Sequence, residues 1–139
     1  MRAALSRTVG FHALHRYYRP EWSEQRNREV FGPLADPPGH GHDYRCRVTV
    51  SGPIDDMGMV VDLRLLDGIL HDEVLVPLAG KHLNLDLPPF AYGQTLPTCE
   101  AIAAYLFPLI AARLPAGVVL ERVRIEEDPT LYGDCTGSR

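Results

Sequence analysis

With 139 residues, 45% of them hydrophobic and 23% charged, the chain has the size and composition of one globular domain (1–139), which excludes a disordered or fibrous protein. A formal net charge of −4 without any clustered run of Lys and Arg excludes a nucleic-acid surface, because phosphate binding needs a local excess of cations. Three cysteines, Cys46, Cys99 and Cys135, with no paired spacing fit free thiols in a reducing cytoplasm, and no apolar run of the ~20 residues that span a bilayer or of signal-peptide type points to a membrane.

Arg2 to Ala13 alternates loosely and ends in Val9-Gly10-Phe11-His12-Ala13, which predicts a first strand. Pro20 to Phe31 carries Glu, Gln and Arg behind a proline start and predicts a helix that stops at Gly32-Pro33. Asp36-Pro37-Pro38-Gly39 is a turn. From His42 the strict alternation of Tyr44, Cys46, Val48 and Val50 with polar residues predicts a strand to Gly52. Pro53 to Gly58 reads as a turn and Met59-Val60-Val61 as a short returning strand. Asp62 then caps a helix through Val74, apolar at Leu63, Leu66, Leu70 and Val74.

Prolines exclude regular structure for most of Leu78 to Leu96. Thr98 is a candidate N-cap for a helix over Cys99 to Arg113, and Val118 to Glu127 predicts a strand with Val119, Glu121, Val123, Ile125 and Glu127 on one side. A last strand is expected over Thr130 to Cys135. The principal strands and helices then run β, β, β, α, α, β, β, an α+β domain with an antiparallel sheet.

His40-Gly41-His42 opens the strongest strand, so its two imidazoles share a face and can converge on one cation, with Gly41 leaving room between them. His15 lies just past the first strand. Three neutral imidazoles with an open fourth position are the ligand set of a catalytic zinc; histidines packed into a turn are the alternative. His12 falls on the opposite strand face from His15, and His71 belongs to a helix surface.

Phe11-x-Ala13-x-His15-Arg16, Phe31-Gly32 and Pro38-Gly39-His40-Gly41-His42-Asp43-Tyr44 together resemble the 6-pyruvoyl-tetrahydropterin synthase and 6-carboxytetrahydropterin synthase family. The similarity continues through Gly58-Met59-Val60-Val61-Asp62-Leu63, Leu83-Asn84-x-Asp86-x-Pro88-x-Phe90, Pro97-Thr98-Cys99-Glu100 and Val123-Arg124-Ile125-Glu126-Glu127. The resemblance implies the tunnelling fold, a four-stranded antiparallel sheet with two helices on one face, assembling into β-barrels as a homohexamer. It implies Zn2+ at His15, His40 and His42, and a pterin ring anchored by Glu127, whose carboxylate can accept two hydrogen bonds from a guanine-like edge. Thr98 and Glu100 either help hold a neighbouring subunit's ligand or serve as helix-cap residues.

The chain departs from this family at its proton relay. Aligning Phe31-Gly32-Pro33-Leu34 places Leu34 on the family's cysteine, and aligning Pro77 to Asn84 places Ala79 and Gly80 on its Asp-His pair. Candidate substitutes are His82, whose imidazole titrates near neutrality, and Asp36, near the missing cysteine. Cys99, inside the helix cap, reads as a packed small residue. The resemblance therefore implies a zinc-dependent lyase of the 6-carboxytetrahydropterin synthase type, in tetrahydropterin or queuosine biosynthesis, acting on dihydroneopterin triphosphate or a related pterin. The alternative is a catalytically silent pterin-binding protein.

Overall fold

The computed structural model describes residues 1–138. Strands β1 (Arg2–His15), β2 (His40–Pro53), β3 (Val119–Asp128) and β4 (Leu131–Cys135) form one sheet in the order β1-β2-β3-β4, antiparallel at every pairing. Along β2 the alternation expected from the sequence holds: Tyr44, Cys46, Val48 and Val50 are buried while Asp43, Arg45 and Arg47 are exposed. Helices α2 (Leu63–Leu70) and α5 (Cys99–Ala111) contribute Leu66, Ile69, Leu70, Ile102, Leu106 and Ile110 to the same core as those strand residues. Burying side chains of this size contributes roughly 1.5–3 kcal/mol each, so this layer holds the sheet and helices together. The opposite sheet face stays polar and open.

Helix boundaries follow the caps. Helix α1 (Glu24–Phe31) begins at Ser23 rather than at Pro20, because the Ser23 hydroxyl accepts the Arg26 N–H at 3.1 Å. A 3-10 turn over Gly32–Ala35 follows. Asp62 caps α2 by accepting the Arg64 N–H at 2.9 Å, and Thr98 caps α5 through the Ala101 N–H at 3.1 Å. Beyond α2 the helix widens into a π turn over His71–Leu75 before α3 (Val76–Leu78). The widening stands where Pro77 would otherwise crowd the carbonyl of Glu73.

Two expectations are corrected, the short returning strand and the facing of β3, and the proline-rich stretch is irregular for most of its length as expected. Met59 to Val61 is not a strand: Asp55 Oδ1 accepts the N–H groups of Met57 and Met59 at 2.9 Å each, closing a local loop instead of a ladder. The proline-rich stretch holds one α turn, α4 (Leu83–Asp86), and a 3-10 turn over Pro88–Phe90; the Asp86 carboxylate closes the first by accepting the His82 N–H. In β3 the pairing steps from Thr49↔Arg122 to Val50↔Leu120, so Glu121 is bulged. One extra residue reverses the alternation, which is why Leu120 is buried while Val119 and Glu121 are exposed.

Candidate metal centre

His15 is the last residue of β1, not a residue beyond it, and it pairs across the sheet with His40; Ala13 pairs with His42 and Phe11 with Tyr44. This register puts His15, His40 and His42 together on the helix-covered face. One ring nitrogen from each lies within 4.8 Å of the other two. His15 is 1% exposed. Its Nδ1 lies 3.1 Å from the Pro97 carbonyl oxygen and 2.7 Å from the Tyr44 hydroxyl. A carbonyl only accepts, so Nδ1 carries the proton and Nε2 presents a lone pair to the cluster, as a metal-bound imidazole requires.

The residues fit a zinc ion. His42 Nε2 is buried without an aligned hydrogen bond, although Glu127 Oε2 stands 3.2 Å away. His15 Nε2 and His40 Nε2 face each other at 2.9 Å. Burial first, and then the proximity of His40 and His42, hold the His15 pKa down at about 3. Burial, followed by His42, lowers that of His40 as well. His15 and His40 therefore offer neutral nitrogen donors at ordinary pH.

Two glycines shape the approach to these ligands. Gly39 has φ +117, and a Cβ there would strike the backbone carbonyl of His15, so only glycine lets the turn meet the end of β1. Gly41 has a different role from the one expected. Its missing side chain leaves room on the opposite sheet face, where a Cβ would lie 2.8 Å from the His12 ring. There His12 pairs with Asp43 at 3.1 Å, away from the metal ligands.

Glu127 reaches the cluster from β3. It is the extra residue between the Glu126↔Tyr132 and Asp128↔Leu131 pairs, a second bulge, and bulges re-aim side chains beside functional sites. Its side chain is only 10% exposed, and Cys99 Sγ donates to Oε1 at 3.5 Å. Burial together with that carboxylate pushes the Cys99 thiol up to about 12, so it stays protonated and unreactive. Tyr17, its ring 5.0 Å from that of His15, and Tyr44 both have phenol pKa values raised, first by burial and then by the Glu127 charge.

The remaining candidates occupy separate positions. His82 Nε2 donates to the Pro38 carbonyl at 2.7 Å, tying α4 to the turn that precedes His40, while its Nδ1 is buried without a partner. Asp36 is exposed, in a cleft with Arg16, Tyr18 and Arg28. Thr98 spends its hydroxyl on the α5 cap, and Glu100 is exposed in the first turn of that helix. Leu34, Ala79 and Gly80 are all exposed. Gly80 has φ +73 and donates its N–H to the His12 carbonyl at 2.7 Å, a backbone setting that disfavours any side chain.

Sequence reasoning missed Tyr44, Tyr17, Asn84 and the Pro97 carbonyl. Tyr44 and Tyr17 each lie two residues from a ligand histidine, a spacing that would have flagged Tyr44 on the same strand face. Asn84 is buried, accepts the Arg16 N–H at 2.7 Å and donates to the Phe90 carbonyl, locking the chain just after His15. Only tertiary structure places Pro97.

Residues 4–138 match the protein-family model described as 6-pyruvoyl tetrahydropterin synthase. The 6-pyruvoyl tetrahydrobiopterin synthase of Homo sapiens is 38% identical over 126 residues, covering 90% of this chain and 85% of that protein. The Drosophila melanogaster protein of the same name is 37% identical over 128 residues, covering 91% and 75%. The solved structure of Caenorhabditis elegans 6-pyruvoyl tetrahydropterin synthase superposes with a TM-score of 0.89 at 31% identity, covering 99% of this chain and 97% of that one.

Proposed function

Because the chain belongs to the 6-pyruvoyl tetrahydropterin synthase family, we propose that it is a zinc-dependent lyase acting on dihydroneopterin triphosphate or a closely related reduced pterin. The observation that carries this reading is the meeting of three imidazoles with a nearly buried carboxylate, Glu127, 3.2 Å from His42. Zinc held by His15, His40 and His42 would polarise oxygens on the ligand's side chain. Glu127 would accept hydrogen bonds from the ring edge and so orient that side chain toward the imidazoles. Tyr17 and Tyr44 stay neutral and pack against His15.

Protons need a carrier other than the family's cysteine and Asp-His pair. His82 Nδ1 is the candidate, since Nε2 spends its proton on Pro38 and Nδ1 is left as the basic atom. Asp36 would act only after a movement of its exposed turn. The names of the relatives favour the 6-pyruvoyl product, and the 6-carboxy product of the queuosine type is the second to look for. The free edges of β1 and β4 suit assembly of the sheet into a barrel, and a homohexamer in the cytoplasm completes the proposal.

A second reading, a pterin-binding protein without turnover, is favoured by Leu34, Ala79 and Gly80. Incubating the zinc-loaded protein with dihydroneopterin triphosphate and following product mass decides between them. A 6-pyruvoyl or 6-carboxy product that is lost with Glu127→Gln and reduced with His82→Ala is expected. Tight binding without any product would support the silent reading.

A further inference from the structure

Tyr17 stands just past the end of β1, and its backbone is pinned there, since its N–H donates to the Leu34 carbonyl at 3.0 Å. Its ring belongs to a row of aromatic groups. It lies 5.0 Å from the His15 ring and 6.0 Å from that of Phe31, on which Trp22 stacks at 5.7 Å. Phenylalanine would fill that place in the row equally well. The hydroxyl is the part that packing does not explain.

The other hydroxyl and thiol groups close to the cluster have work already. Tyr44 meets His15 Nδ1 at 2.7 Å, Thr98 accepts the Ala101 N–H, and Cys99 donates to Glu127. The Tyr17 hydroxyl has no hydrogen-bond partner among the described residues, although the residue is only partly exposed. The side-chain polar atoms sealed off without a partner are His42 Nε2 and His82 Nδ1, so the Tyr17 oxygen opens to space that a ligand can enter. That space belongs to the metal centre. After burial, the groups that bear most on the phenol are Glu127, then Cys99 and Glu100, and the Tyr44 phenol in turn senses Tyr17.

We propose that the Tyr17 hydroxyl is a hydrogen-bond donor that selects pterins carrying an oxygen on the side chain held at the three imidazoles. The inference rests on the pterin reading above and adds the residue that reads that side chain. Imidazole nitrogens bound to a cation offer an oxygen no proton, and the ionised Glu127 only accepts. A neutral phenol is therefore the donor that the rest of the cluster lacks. Such a bond strengthens as its acceptor gains negative charge, so it holds the side-chain oxygen most firmly during turnover. The phenol keeps its own proton throughout.

The zinc-loaded protein and Tyr17→Phe are compared for binding of dihydroneopterin, whose side chain carries hydroxyls, and of 6-methyldihydropterin, whose side chain carries none. Zinc content and circular dichroism melts are the controls. Tyr17→Phe should keep its zinc and its melt, because the ring is retained. It should bind dihydroneopterin about three- to tenfold more weakly, the scale of one neutral hydrogen bond, and 6-methyldihydropterin as before. With dihydroneopterin triphosphate, kcat should fall about a hundredfold while KM rises by about tenfold at most. If the unsubstituted protein turns nothing over, the two binding ratios decide alone. Equal losses for both pterins, no loss for either, or loss of zinc from the variant overturn the donor role and leave the pterin reading standing. An unchanged kcat in a protein that does form product overturns it too. Binding of neither pterin by the unsubstituted protein overturns the pterin reading and this inference together.

Discussion

His15 Nε2 and His40 Nε2 face each other at 2.9 Å with their rings nearly perpendicular, at 79°. Two ring nitrogens that close must share either a proton or a cation. The Pro97 carbonyl keeps the His15 proton on Nδ1, so Nε2 of His15 is a lone pair whatever lies between them. His40→Ala should therefore abolish stoichiometric zinc while leaving the fold intact, since His40 is only half-buried. Tyr44→Phe removes one oxygen beside Nδ1 and should weaken zinc by about tenfold, the low end for partners behind a ligand. Metal analysis after gel filtration reads both; undiminished zinc in His40→Ala would refute the assignment.

The metal-free protein should lose stability in acid in a defined window. His15 has a folded pKa near 3 against 6.5 for the free side chain. Between those values the unfolded chain binds a proton that the folded chain refuses, so stability rises with pH there and falls as the solution is acidified. The expected slope is roughly 1.4 kcal/mol per pH unit below 6.5, flattening near pH 3. Urea midpoints at successive pH values measure it. His15→Gln should flatten that slope.

Gly39→Ala should cost about 2 kcal/mol or more, from a strained positive φ together with collision against the His15 carbonyl. Zinc affinity should fall with it, because the clash pushes His40 away from His15. Gly58→Ala is the control. It also has positive φ but meets nothing within 4 Å, so it should cost less and leave zinc untouched.

Cys99 should behave as a buried thiol. With its pKa pushed up to about 12, alkylation by iodoacetamide at pH 8 should label Cys135, which is partly exposed, far faster than Cys99. Cys99→Ser should keep turnover within a few-fold. A hundredfold loss, or rapid labelling of Cys99, would make it a nucleophile and contradict the burial argument.

Much of this was legible in the residues themselves. Period-two alternation from Tyr44 to Val50 located β2 and its buried face, Asp62 and Thr98 marked two helix starts, and His40 and His42 were placed on one face by spacing alone. Each of these signals is local, set by backbone geometry within a few residues. The Met59 to Val61 strand failed because Asp55 captured the amides of Met57 and Met59 in a local loop, and the facing of Val119 and Glu121 failed because one bulged residue, invisible to a periodic pattern, reversed it.

What tertiary structure alone decided was which distant groups meet. The register of β1 against β2 brought His15 opposite His40 across 25 positions of chain, and a bulge turned Glu127 toward His42. Folding carried the Pro97 carbonyl to His15 and Arg28 to Arg16. The types of the ligands were written in sequence because metal chemistry demands particular side chains. Their geometry and their supporting contacts were not, because long-range pairing is selected by the packing of the whole core rather than by any local stretch.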